Sequence, residues 1–268
     1  MNDAPKRAGL GDAVLKWSGI LWFLIALAGQ AAFVAFIALY YGTRTAAGNF
    51  AAWNEKPLID GYISGDPAGN ALFAAHVFLA AVITLGGLMQ LIPTLRNRFR
   101  RLHRWNGRAF LVIGYFMAIG GLVLVWGRGT RLSTISAIAT SLDAILILIF
   151  ATIAWRLAMA RRIDAHRRWA MRTFMAVNAV WFLRVGIMAW FILAGGVGMT
   201  RNLSGPADVA IAFGCYLVPL AVLEVYFAAQ KSETAPAKFA AAALVFAASV
   251  VTGVGVFGTV AFMWLPYV

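Results

Sequence analysis

Apolar runs longer than 20 residues, set apart by short clusters of Lys and Arg, constrain this chain more than any other feature. A run of that length is what a helix needs to cross the hydrocarbon core of a bilayer. Only helices and closed barrels satisfy their backbone groups there, and the strict alternation of a membrane barrel is absent. The pattern therefore predicts an all-α polytopic membrane helix bundle forming a single integral membrane domain over 1–268. The net charge is +13, which in a soluble protein would suggest a nucleic-acid partner. Here the arginines sit in loops of about ten residues, too short for such a domain, so nucleic acid is excluded. Facing an anionic leaflet, they act as topology determinants, and the partners implied are the lipid bilayer and its anionic phospholipids.

Seven spans are expected: 17–41, 70–92, 106–126, 133–159, 169–195, 207–229 and 238–265. The first is too long for a cleaved signal peptide and reads as a retained anchor. With the N-terminus inside, the inner side receives Lys6, Arg7, Lys16, six arginines from Arg96 to Arg108, six from Arg156 to Arg172, Lys231 and Lys238. The outer side receives Arg44, Lys56, Arg128, Arg131 and Arg201. That asymmetry, 17 against 5, predicts a cytoplasmic N-terminus and a periplasmic C-terminus. The single cysteine, Cys215, lies within a span and can close no internal disulfide.

Two inner segments share a pattern: Leu102-His103-Arg104-Trp105-Asn106-Gly107-Arg108-Ala109-Phe110, and His166-Arg167-Arg168-Trp169-Ala170-Met171-Arg172-Thr173-Phe174. Aligned on Trp, each has Arg three residues later and Phe five residues later. The segments 70–127 and 133–195 thus read as parallel repeats of one helical hairpin. His76, then GGLMQLIP, a basic loop into HRWNGR, and DAHRRWAMRTF resemble a family of bacterial membrane proteins catalogued as domain of unknown function 2306, over residues 70–190. The resemblance implies a multi-pass protein of the bacterial inner membrane and no settled activity.

Two constellations carry candidate chemistry. The three histidines, His76, His103 and His166, are candidate ligands of a b-type haem, which takes axial imidazoles from facing helices. Arg104, Arg108, Arg168 and Arg172 would then face propionates, or alternatively bind an anionic headgroup. The bland reading is an interfacial His-Trp-Arg cluster that anchors helix starts. The second constellation is intramembrane: Asp143, Asn178, Arg184 and Glu224. Buried charges normally pair, and Asp143 with Arg184 is the expected pair, either as a proton or ion relay or as a structural tie. No Walker, Rossmann, nucleophile-elbow or HExxH motif occurs. Three activities follow as expectations: a redox module binding b-type haem or quinone, a proton-coupled small-solute transporter, and a lipid-binding scaffold or accessory subunit of a membrane-protein partner.

Overall fold

The computed structural model describes residues 9–56 and 59–268, so Lys6 and Arg7 lie outside the described residues. Ten α-helices follow in order, and no strand occurs among the described residues. α1 (Leu10–Phe36) continues through a π-helical stretch into α2 (Thr43–Ala46), and a 3₁₀ turn (Phe50–Glu55) follows. α3 (Pro67–Leu91) is stopped by Pro93, which opens the short α4 (Pro93–Arg98); α5 is Arg100–Leu122 and α6 is Thr134–Met159. Then come α7 (Ile163–Val177), α8 (Ala179–Ala194), α9 (Pro206–Lys231) and α10 (Ala235–Gly258), the last extended by π and 3₁₀ turns to Tyr267. Six of these rods are long and apolar enough to span a membrane, and a bent pair makes a seventh.

That bent pair corrects one expectation. Residues 169–195 do not form one straight span: α7 and α8 meet at Asn178 with a 56° bend. The Asn178 side-chain amide donates to the Phe174 carbonyl at 2.8 Å, which its own backbone N–H also reaches at 3.2 Å. A short amide side chain competing for a helix carbonyl disrupts the regular ladder.

The inward faces share one core, in which Phe33, Phe36 and Tyr40 of the first rod meet Phe174, Trp181, Phe182 and Trp264. Outward, Leu193, Phe257 and Phe262 stay 60, 64 and 60 % exposed, an apolar surface that suits lipid. Small residues set the closest approaches. A Cβ on Gly29 would meet Val256 and Trp181 at 2.6 and 2.7 Å, and one on Gly255 would run into the Val185 backbone carbonyl. Without a hydrophobic drive between helices in lipid, such close contact is a main source of packing energy. Gly255→Ala is therefore expected to lower unfolding stability by about 1–3 kcal/mol. Gly42→Ala, whose Cβ would meet only the Ile37 carbonyl at 3.9 Å, is expected to cost nothing in the same detergent unfolding assay.

Candidate functional site

One end of the bundle is built by the starts of α5 and α7, each following a basic turn. The α3–α5 crossing fixes the first of them. Gly86 and Gly87 let α5 come close: the Asn106 side-chain amide donates to the Gly86 carbonyl at 2.8 Å, and a Cβ on Gly87 would meet Phe110 and Phe174 at 3.0 Å. One turn on, Gln90 Nε2 donates to the His103 carbonyl at 3.0 Å. The GGLMQ motif is thus the joint that positions His103. His166, on α7, has its Nδ1 2.9 Å from the Ala154 carbonyl of α6.

Behind these helix starts lies a cavity of about 1830 Å³, lined by residues of all the helices but α2. Its body is apolar, with Trp22, Phe110, Met171, Phe182, Val218 and Leu223 among its walls. Its charged residues are the cations Lys16, Arg96, Arg104, Arg108, Arg167 and Arg168, with Asp164 the single carboxylate among its lining residues. His103 and His166 line the same space. No ion pair among the described residues ties any of the six cations to a carboxylate. Arg108 lies 5.0 Å from the Trp105 ring and Arg168 lies 5.7 Å from Phe227, contacts that position a guanidinium without neutralising it. Trp190, Val218, Leu244 and Val251 both line the cavity and are exposed, so its wall opens sideways toward lipid.

Other candidates fall elsewhere. Arg172 is not available to a headgroup or propionate: its Nε and Nη2 hold both oxygens of Glu224 at 2.6 and 2.8 Å, tying α7 to α9. Glu224 is accordingly half of that tie. His76 stands apart from the other two histidines, packed against Gly120 and Gly121 of α5 with its Nδ1 unpartnered. The expected Asp143–Arg184 pair does not form. Arg184 donates to its own helix at the Val180 carbonyl, 2.9 Å, and lies 5.6 Å from the Phe33 ring. Asp143 is 5 % exposed, with Oδ1 unpartnered. Adjacent sequence hairpins put the two at similar depths but not on facing sides.

The model of the family described as a predicted membrane protein, DUF2306, matches residues 73–227, more than half of the chain. The chain belongs to that family. No curated protein and no solved structure matches it. The DUF2306 match contains most of α3 through most of α9, and thus the crossing, both cavity histidines and five of the six cavity cations, Arg96 through Arg168.

At the opposite end of this DUF2306 bundle, two cations are matched by carboxylates. Arg44 reaches Glu55 at 2.6 Å, and Arg128 reaches Asp66 at 2.9 Å and Asn70 at 2.6 Å. The Arg128 hydrogen bond holds the Asp66 carboxyl below its usual range. That stabilisation is present above the unfolded value and is lost as acidification passes the lower folded one. The Tyr40 hydroxyl, within 3.1 Å of the Ala52 and Trp53 carbonyls, accepts the Lys56 N–H at 3.0 Å. Burial, with the Arg184 charge adding, pushes the Lys56 ammonium down to about 8. Between about 8 and 10.5 the unfolded chain then binds more protons than the folded one, so stability from this group rises with pH across that window. Lys56→Gln is expected to stabilise the protein at pH 7 by on the order of 2 kcal/mol. The advantage should fade in alkaline buffer, as read by detergent unfolding curves at several pH values.

Proposed function

We propose that this integral membrane protein binds an amphiphile with an acidic head: the head at the cationic end of the large cavity, the apolar tail within it. The observation that carries this reading is the union of three properties in one space. It is apolar, its charged end holds six cations without ion-pair partners among the described residues, and its side opens to lipid. At about 1830 Å³ it also exceeds the ~300–1,000 Å³ of ordinary small-molecule sites, which weighs toward a lipid rather than a small solute. Charge-assisted contacts to phosphate or carboxylate are among the stronger hydrogen bonds. A quinone would fill the tail space but leave the cations unanswered. The transporter reading loses support because Asp143, Arg184 and Glu224 do not converge. The excess of arginine supports an orientation with this end at the cytoplasmic face of a bacterial inner membrane, where positive loops and anionic headgroups meet.

Native mass spectrometry of the purified protein with phosphatidylglycerol and phosphatidylcholine tests this. The acidic lipid should bind at least tenfold more tightly. Replacing Arg104 and Arg168 together by Gln should remove that preference, since each hydrogen bond to a charged group contributes about 1.5–3 kcal/mol. Equal affinity for both lipids in the unaltered protein would sink the reading.

A b-type haem is the second reading, favoured by one observation. The Ala154 carbonyl beside His166 Nδ1 leaves Nε2 to act as a ligand, the arrangement that commonly orients metal-bound imidazole, and His103 lines the same cavity. Haem-loaded protein should then show a Soret band that both His103→Ala and His166→Ala abolish; no band in the unaltered protein removes this reading.

A further inference from the structure

Deeper in the bundle lies a second void, of about 20 Å³, walled by Thr140 and Asp143 of α6, Ala179 and Val180 at the start of α8, and Cys215 and Tyr216 of α9. A space of that size admits one water, which needs polar partners. Asp143 supplies one: it is 5 % exposed and its Oδ1 makes no hydrogen bond. No cation answers it, since no ion pair among the described residues includes Asp143. Arg184, the cation of α8, makes its contacts instead with Val180 O and the Phe33 ring of α1. The titratable groups around the void are Cys215 and Tyr216, both from α9; α8 contributes only apolar side chains there, and α6 only hydroxyls besides Asp143. The break at Asn178 also brings the first turn of α8, Ala179 and Val180, against the same space. A bare carboxylate in hydrocarbon, with neither cation nor hydrogen bond, is costly. A proton supplies the missing charge in the least volume.

We propose that Asp143 and this void form an intramembrane proton site, with one proton on the Asp143 carboxyl and one water between that carboxyl and Tyr216. Binding forms one O–H bond at a carboxylate oxygen; the proton comes from a hydronium ion at the mouth of the large cavity, leaves water there, and returns to water on release. Cys215 lines both spaces, so the route between them runs along its side chain. This site does not depend on the amphiphile reading.

Infrared difference spectra of the protein in lipid nanodiscs, recorded across the pH range in which it stays folded, test the site. A carboxylic C=O stretch is expected that shifts on transfer to D₂O and is missing from Asp143→Asn. Tyr216→Phe should keep the band but shift its frequency, because the bridging water loses a partner. That variant and the unaltered protein keep the proposal falsifiable if Asp143→Asn does not fold. No exchangeable carboxylic band in the unaltered protein, a band retained in Asp143→Asn, or a Tyr216→Phe band at the original frequency would each overturn it.

Discussion

Cations held at the mouth of an apolar space with no ion-pair partner among the described residues are the constraint on which this bundle turns. Charged groups at a membrane surface are tolerated when they reach water or an opposite charge. At the Tyr40 end the chain answers two cations itself, with Glu55 for Arg44 and Asp66 for Arg128. At the other end, Arg172 takes Glu224 and Lys238 takes Asp12, while the cavity cations are left over. Six unmatched cations therefore lie where the apolar space opens.

Packing explains why the space is there. Near Tyr40 the rods close on a plug of stacked rings, with Phe36 5.3 Å from Tyr40 and 5.7 Å from Trp264. Gly255 and Gly258 draw α10 onto α8. Toward the arginine-rich end, α7 bends away from the line of α8 at Asn178, and the large cavity runs between α7 and the neighbouring rods. A straight span at 169–195 would carry the α7 cations in another direction. The bend thus links a local backbone event to the charge pattern of the cavity.

Much of this was legible in the letters, for physical reasons that differ by feature. The ends of the rods follow from apolar length and from Pro67, Pro93 and Pro206, and the expected spans fall within a few residues of the observed helices, except at the 10–46 rod, at the start of α5, which begins at Arg100 and not at 106, and at the broken pair. His103 and His166 share a cavity, as their matched positions before Trp105 and Trp169 suggested. The Asn178 bend was not legible, because one amide side chain inside an apolar run does not announce whether it will take its own helix carbonyl. The Arg172–Glu224 tie joins residues 52 apart in sequence, and periodicity carries no information about which helix faces lie opposite. The same blindness produced the expected Asp143–Arg184 pair. Gln90 and Asn106 were readable only as parts of a motif; their role as the joint of α3 and α5 needed the crossing itself.

Cys215 gives the most direct test of an amphiphile in the cavity, because it is the single thiol of the chain and half-buried in the cavity wall. The measurement is its rate of alkylation by a membrane-permeant maleimide, with and without a saturating acidic lipid, in detergent-purified protein. An occupied cavity should slow labelling severalfold, and neutralising Arg104 and Arg168 should abolish that protection. A rate that ignores the acidic lipid would contradict the central claim.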